Sequence, residues 1–459
     1  MRRKITFTGG GAINGASQDE SFLIWDSSAT SSGLLFELED RNDFAEANRL
    51  SLVRKGVRGN GVCIEVDGTS TISGGLIAPR SHSRVNLSKI RIMGEDINSS
   101  WSDGILAKSV IGTRISDYDF YGSYNTNIYE PDANRAIRIE GAGYGVEHNL
   151  NGIRAFNCDI AVDSYDQEGV YVSDFNFVAV NTGIKWRVDS AAKLHLLATD
   201  GHMSTFVKGI DGIKASQSSI DNILFYARPE RTVASHTQMD LNDCDFLRIG
   251  NNTFIDLATT KTSDAIKIQN GIRTIINPNI FQSCKDAITI LTTTDDTTIM
   301  PQTFVTVTNK IIDDGTRTRH PITTSTTMRR STAQTISTAT NTAVVWETIV
   351  ASQSNGLWNS GNPSQLVAYR TGKYTLCYDI IFAASGSGRR ILQIYKNGSI
   401  VTPNSRKNQA GLASGNNLSG SLHEIRLTQG DYLEVMVYQD TGGNLDVNNG
   451  TSATLTFID

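Results

Sequence analysis

The sequence lacks the marks of several common protein classes, and these absences narrow its possible functions. Its 42 Lys and Arg residues are balanced by 47 Asp and Glu residues, and no basic block stands out. A nucleic-acid partner is therefore not expected. No apolar run approaches the roughly 20 residues that span a membrane. Because the basic Met1–Lys4 segment is not followed by an apolar stretch, we expect neither a membrane segment nor a signal peptide.

Cysteine usage excludes two further classes. The five cysteines are scattered, odd in number and never spaced as CxxC: Cys63, Cys158, Cys244, Cys284 and Cys377. This pattern favours neither a disulfide framework nor a zinc site. We therefore predict no metal and no cofactor.

Helical periodicity is nearly absent, and the one weak candidate for a helix is at residues 42–52. The sequence instead contains a short internal repeat. Its motif is an apolar residue, any residue, Asn or Asp, two further residues, and an apolar or aromatic residue. The motif recurs about every 22 to 29 residues from Asp174 onward. Its instances have their Asn or Asp at Asp117, Asp174, Asp200, Asn222, Asn251 and Asn277.

A helix-free repeat of this length predicts a right-handed parallel β-helix, in which stacked coils bury a shared core. Asn and Asp suit the tight corners between strands. The alternative all-β fold is a propeller, but its blades are longer and have four strands each. We place the β-helix at residues 34–312, after an N-terminal neck or capping segment at 1–33.

A different module follows a polar linker at residues 313–331. Residues 332–459 read as seven or eight short strands separated by turn signals such as Asn397-Gly398. Such a pattern predicts an antiparallel jelly-roll sandwich. The whole chain is thus predicted to be all-β. The adjacent residues Arg329 and Arg330 are predicted to be solvated in the linker.

The motifs of this C-terminal module resemble tumour-necrosis-factor-like jelly rolls. They are, in order, Trp346 to Val350, Gly356-Leu-Trp358, Gly372-Lys-Tyr374, Tyr395-Lys-Asn-Gly398, Leu427-Thr-Gln-Gly-Asp431, Val437-Tyr-Gln439 and Leu455-Thr-Phe457. The resemblance implies a homotrimer. A β-helix that ends in such a cap is similar to bacteriophage tailspikes with polysaccharide depolymerase activity, and this second resemblance concerns architecture alone.

The tailspike resemblance implies a virion protein that acts at the host cell surface and cleaves a capsule or O-antigen. It also implies attachment to the phage tail or baseplate through an N-terminal region. Two alternatives remain open: a non-enzymatic receptor-binding spike of the same architecture, and a secreted bacterial enzyme similar to pectate lyases. The apparent lack of a signal peptide and the trimer-type cap speak against the secreted enzyme.

Two enlarged turns, Tyr121 to Arg135 and Tyr226 to Met239, follow the same column of the repeat and should flank one outer face. Hydrolysis of a glycosidic bond needs two carboxyl groups. Near this face we select Asp119, which should face outward in the column of Asn176 and His202. The other candidate catalytic residues are Glu147, which interrupts the repeat, and Glu230, which lies in a constrained polar loop.

Sugar binding needs aromatic surfaces and forked donors. A lyase would instead need a base and a cation that neutralises a uronate. The sequence does not separate hydrolase from lyase. The candidate substrate-binding residues are Trp101, in the turn that looks most exposed, and Tyr121, His148, Arg187, His202, Tyr226 and Arg228.

Overall fold

The computed structural model describes most of the chain, which forms two compact units, residues 1–319 and 320–459. The described residues are 4–25, 33–38, 43–55, 59–68, 84–95, 99–122, 133–141, 147–189, 194–230, 236–256, 258, 260–319, 325–352, 357–358, 360–369, 371–401 and 406–458.

The first unit is a parallel β-helix, and its described residues form 25 strands. Its strands are β1 (Ile5–Thr8), β2 (Gly11–Asn14), β3 (Phe22–Trp25), β4 (Leu34–Glu37), β5 (Phe44–Arg54), β6 (Gly59–Asp67), β7 (Arg84–Gly94), β8 (Trp101–Lys108), β9 (Thr113–Tyr121), β10 (Ala133–Glu140), β11 (His148–Phe156), β12 (Cys158–Tyr165), β13 (Gly169–Arg187), β14 (His195–Ile213), β15 (Ser219–Ala227), β16 (His236–Asn242), β17 (Arg248–Gly250), β18 (Thr253–Asp256), β19 (Ser263–Gln269), β20 (Ile275–Ile276), β21 (Ile280–Gln282), β22 (Asp286–Ile290), β23 (Thr298–Ile299), β24 (Thr303–Val305) and β25 (Asn309–Asp313).

These strands stack as three ladders, which form three faces. The first face contains β1, β4, β6, β8, β10, β12, the second halves of β13 and β14, and β16, β19, β22 and β25. The second and third faces share β5, β7, β9, β11, β15 and the first halves of β13 and β14, each of which turns a corner within one strand. At the ends of the stack the two faces separate into β2 and β3, and into β17 and β18.

Alternation along each strand sends apolar side chains into one continuous core. The clearest column is the stack of Phe225, Phe254, Phe281 and Phe304, with successive ring centroids 4.8, 5.1 and 5.5 Å apart. These separations are close to the spacing of neighbouring strands. Identical residues can therefore stack from coil to coil without shifting the register.

The corner between the second and third faces explains the Asn and Asp of the repeat. Asp117, Asp174, Asp200, Asn222 and Asn251 all have φ between 50° and 56° there. Asn and Asp adopt this left-handed conformation more readily than other non-glycine residues. The prediction that turn geometry accounts for this column is therefore confirmed for these five residues. Asn277 is outside that group because it precedes Pro278, which restricts its conformation.

Several boundaries differ from the predicted ones. The predicted neck is part of the β-helix, because β1 pairs with β4 and β2 pairs with β5. The weak helix at 42–52 is wrong: these residues lie largely in β5, which is paired on both sides. The β-helix also continues past 312, since Thr316 bridges to Asp295. Pairing with neighbouring coils overrides the weak helical pattern.

The second unit is an antiparallel sandwich of two sheets. The larger sheet contains β26 (Ser325–Arg329), β27 (Gln334–Ile336), β29 (Thr348–Ser352), β31 (Gly372–Phe382), β35 (Asn416–Leu427), β37 (Leu445–Val447) and β38 (Ser452–Phe457). The smaller sheet contains β28 (Thr342–Ala343), β30 (Leu366–Val367), β32 (Arg389–Lys396), β33 (Ser399–Ile400), β34 (Lys407–Ala410) and β36 (Tyr432–Gln439). The predicted fold class, a parallel β-helix followed by an antiparallel jelly-roll sandwich, is confirmed.

The described part of the predicted solvated linker contains paired structure. β26 is paired with β38, and the adjacent Arg330 is only 4% exposed. Its guanidinium donates to Glu347 over 2.9 Å, and hydrogen bonds from Ser331 and Thr332 help to lower the pKa of that carboxyl to about 2. The prediction of a solvated Arg330 is therefore wrong. Among the described residues, no helix is long and apolar enough to cross a membrane.

Candidate functional site

Two outward columns on the third face contain four of the ten predicted site residues. The His202 column has Arg91, Asp119, Arg154, Asn176, His202, Leu224 and Thr253 on successive rungs. The Tyr226 column, two residues further along each strand, has Tyr121, Phe156, Val178, Ser204 and Tyr226. The predicted shared column of Asp119, Asn176 and His202 is confirmed.

The two enlarged turns also leave the β-helix from one column, because Tyr121 and Tyr226 both belong to the Tyr226 column. This alignment confirms that the turns begin on the same side of the β-helix. Residues 123–132 of the first turn and 231–235 of the second lie outside the described part of the chain.

A shallow groove of about 430 Å³ lies between the corner and the His202 column. It spans neighbouring rungs of β14, β15 and β18 and combines polar with apolar side chains. Its lining consists of Phe175, Asp200, Gly201, His202, Asn222, Ile223, Leu224, Asn251 and Thr253.

His202 is held in one orientation at this groove. Its Nδ1 lies 2.8 Å from Oδ1 of Asn176, so the ring nitrogen donates to the amide oxygen. Burial lowers the pKa of His202 below its ordinary value of 6.5. The imidazole is therefore mainly neutral at pH 7, and Nε2 carries the lone pair. A neutral imidazole of this kind can act as a general base.

Directly after β15, which is the rung following His202, Arg228 contacts three neighbours. Its guanidinium lies 5.4 Å from the ring centre of Phe206, its Nη1 is 3.5 Å from Oγ of Ser204, and its Nε is 3.3 Å from Glu230. Ser204 is also the register partner of Tyr226. The structure thus brings His202, Tyr226, Arg228 and Glu230 onto two neighbouring rungs.

Asp119 lies in the same column, but its carboxylate already pairs with two arginine side chains. Its carboxyl oxygens are 3.7 Å from Nε of Arg91 and 3.7 Å from Nε of Arg154, the residues on the adjoining rungs. The side chain is only 10% exposed. This arrangement forms an ion-pair ladder along the face.

The three predicted catalytic carboxyl groups are not brought together within one chain. Asp119 and Glu230 are four rungs apart, which is roughly 19 Å at the usual strand spacing. Glu147 precedes β11 by one residue and lies seven residues before Arg154, the partner of Asp119. Five of these residues are extended strand before the corner at Gly152, and they alone cover on the order of 16 Å. Inverting glycosidases hold their carboxyl groups only about 6.5–9.5 Å apart.

Two predicted substrate-binding residues are buried, and these predictions are wrong. Trp101 is 1% exposed, packs edge-on against Trp25 at 5.6 Å and lies under the guanidinium of Arg54. His148 is fully buried and donates from Nε2 to Gln167 over 2.9 Å. Both residues begin strands whose first side chain points into the core, so neither can contact a sugar outside.

Arg187 and Tyr121 also have structural partners. Arg187 lies on the first face, where it pairs with Asp163 at 3.0 Å. It is therefore not part of the groove. The ring of Tyr121 stacks on Phe156, with centroids 5.0 Å apart and planes 13° apart. This stacking covers one face of the tyrosine ring.

Sequence reasoning missed a carboxyl pair on the first face. Asp264 and Asp286 are register partners, and Nζ of Lys285 is 3.8 and 3.0 Å from them. Burial raises the pKa of Asp264 to about 6, whereas hydrogen bonds from Asn309 and Lys285 outweigh the burial of Asp286 and lower its pKa. Both residues begin an Asp-Ala-Ile segment. Alignment of these two repeats would have placed them side by side.

No known family model matches the sequence, and no curated protein matches it. Several solved structures are similar to part of the chain. Murine APRIL at pH 8.5 is 17% identical, with 30% of this chain and 99% of that chain covered and a TM-score of 0.23. Eiger TNF from S. frugiperda is 13% identical, with 30% and 94% covered and a TM-score of 0.22. Pika GITRL is 13% identical, with 30% and 96% covered and a TM-score of 0.20. TM-scores this low carry no argument about this protein.

Proposed function

We propose that this protein is a bacteriophage tailspike that binds a bacterial surface polysaccharide and cleaves it by β-elimination on the third face. The observation that carries the proposal is the neutral, oriented imidazole of His202 at a groove, with the guanidinium of Arg228 reaching Ser204, two residues along the same strand as His202. The predicted carboxyl pairs are too far apart in one chain for direct hydrolysis. The lyase alternative is therefore better supported.

The proposed reaction uses three side chains on a uronate residue of the polysaccharide. The guanidinium of Arg228 pairs with the sugar carboxylate and makes the neighbouring C5 hydrogen more acidic. Nε2 of His202 removes that proton. The electron pair of the C5–H bond forms a C4–C5 double bond, and the C4–O bond to the next sugar breaks. The hydroxyl of Tyr226 donates a proton to the departing oxygen.

Incubation with a panel of capsular and O-antigen polysaccharides tests this proposal. Elimination consumes no water, so one fragment should carry a double bond that absorbs in the ultraviolet and should lack the mass of one water compared with a hydrolysis product. We expect His202→Ala to abolish product formation while polysaccharide binding persists. His423→Ala in the second unit is the matched control and should retain full activity. Fragments that contain the added water would overturn β-elimination.

A second candidate is hydrolysis at Asp264 and Asp286, favoured by the opposite shifts of their pKa values. A protonated acid beside an ionised carboxylate is the arrangement that glycosidases use. Loss of hydrolysis products in both Asp264→Asn and Asp286→Asn, with His202→Ala still active, would favour this site. Binding of polysaccharide without any fragments would instead favour a receptor-binding spike.

We also propose that the protein is a homotrimer in the virion, attached to the phage tail or baseplate through an N-terminal region. The motifs of the second unit resemble those of a trimeric family. Exposed apolar side chains on the β-helix, such as Ile275 and Val305, suit a subunit interface. Light scattering at micromolar concentration should give the mass of three chains. A monomeric mass would contradict the proposal.

A further inference from the structure

Leu224 is an apolar residue in a polar column. It lies between His202 and Thr253 on the third face and is 38% exposed, whereas its chain neighbours Ile223 and Phe225 are each only 1% exposed. Alternation along β15 therefore points the leucine outward. A single exposed leucine is ordinary, so its place in the groove is what matters.

Polar groups border this leucine on the side of the groove that faces the corner. Asp200 and Asn222 form its corner edge, where Nδ2 of Asn222 donates to Asp200 over 2.6 Å. His202 lies on the rung before Leu224 in the same column. A ligand seated here would therefore meet one small apolar surface within a rim of hydrogen-bonding groups.

Buried apolar residues lie beneath this exposed leucine. The ring of Phe175 lies against Gly201, because a Cβ at Gly201 would come within 2.1 Å of the ring. Phe175 and Ile223 line the bottom of the groove but are only 4% and 1% exposed, so Leu224 provides most of its apolar surface. Glycine thus leaves room for a phenylalanine where the neighbouring coil would otherwise place a side chain.

We propose that Leu224 is a specificity-determining residue that receives a methyl-bearing substituent of the polysaccharide, from an acetyl group or a 6-deoxy sugar. Removal of a methyl group from water against Leu224 and Phe175 is favourable. A hydroxyl in the same place would lose hydration without a partner. This inference rests on the proposed polysaccharide-binding function of the same groove.

The test compares kcat/KM for each native polysaccharide with kcat/KM for its derivatives. One arm removes O-acetyl groups with mild alkali, a second removes N-acetyl groups, and a third uses glycans with and without 6-deoxy sugars. One methyl group in an apolar site changes selectivity by about tenfold. We expect a preference of that order for the methyl-bearing form in one arm, and we expect Leu224→Thr to abolish it.

Ile280→Thr is the matched control. Ile280 follows Thr253 in the same column, is 45% exposed and does not line the groove. It should leave the preference unchanged. Equal cleavage of all forms by the unaltered protein, or an equal slowing of all forms by Leu224→Thr, would overturn the role of Leu224 while leaving the cleavage activity established.

If no polysaccharide is cleaved, calorimetry with the same glycans replaces the kinetic comparison. The inference would be supported, even without lyase activity, if the methyl-bearing glycan bound more tightly and Leu224→Thr abolished this preference. Absence of both cleavage and binding would overturn the proposed function and the inference together.

Discussion

The imidazole of His202 and the side-chain amide of Asn176 are joined across two coils by a 2.8 Å hydrogen bond from Nδ1 to Oδ1. This bond fixes both the orientation and the tautomer of the histidine, because an amide oxygen only accepts. The coil before the groove therefore determines which ring nitrogen is available to a substrate. Asn176 is a positioning residue in the proposed reaction.

Asn176→Asp should shift the pH dependence of cleavage. A carboxylate at this position favours the imidazolium form and raises the pKa of His202, typically by one unit or more. Arg154, the register partner of Asn176, would offset part of this effect. We expect the acidic limb of the kcat/KM profile to move to higher pH by about one unit. Asn151→Asp, on an exposed side chain that bonds to Ser173, is the control, and an unchanged profile in Asn176→Asp would contradict the role of His202 as the base.

Glu230→Gln should reduce cleavage moderately. Glu230 is exposed and contacts Arg228, so its expected role is to orient the guanidinium. A positioning role predicts a loss in kcat/KM of about tenfold, chiefly through KM, whereas loss of a general acid typically costs 10²–10⁴-fold in turnover. Steady-state kinetics on one polysaccharide separates the two. A loss of several thousandfold in kcat would restore Glu230 as a catalytic residue.

His148 should make the first unit less stable in mild acid. Burial lowers the pKa of His148 from 6.5 to about 4. Between these pH values the unfolded chain binds more protons than the folded chain, so the free energy of unfolding falls as the pH falls from 6.5 towards 4. The loss approaches about 3 kcal/mol and levels off below pH 4. Chemical denaturation at pH 7 and pH 5 measures the part of this loss that occurs above pH 5.

His148→Gln is the informative variant for that measurement, since glutamine does not titrate. The stability difference between pH 7 and pH 5 should shrink in this variant relative to the unaltered protein. An unchanged difference would assign the acid sensitivity to other groups.

Phe281→Ala should destabilise the β-helix strongly. Phe281 is fully buried between Phe254 and Phe304. Truncation of a buried phenylalanine costs about 3–5 kcal/mol through lost transfer energy and the remaining cavity. Ile280→Ala changes the preceding residue, which is 45% exposed, and should cost less than about 1 kcal/mol. Similar thermal midpoints for the two variants would contradict the alternation along β21.

The sequence predicted the periodic features well, because they repeat in every coil. The Asn and Asp of the corner motif, the outward column of Asn176 and His202, and the common column of Tyr121 and Tyr226 all follow from spacing alone. The fold class follows from the same regularity. Each repeat provides an independent observation of one geometry.

Features that depend on a single coil could not be predicted in this way. Trp101 follows a turn-like stretch, yet its indole is buried because β8 begins there with an inward side chain. His148 is buried for a similar reason at the start of β11. The burial of Arg330 depends on Glu347, which follows it by 17 residues. The spacing of a motif does not specify contacts of this kind.

The stacked phenylalanines have a mechanical consequence. Hydrogen bonds between coils run along the axis of the β-helix, and the rings of Phe225, Phe254, Phe281 and Phe304 are already near contact distance along that axis. A compressive load along the axis therefore meets steric repulsion between close-packed rungs and does not need to break a hydrogen bond. Tension in the opposite direction is opposed mainly by the hydrogen bonds between neighbouring coils. The β-helix should accordingly be stiffer under compression along its axis than under tension.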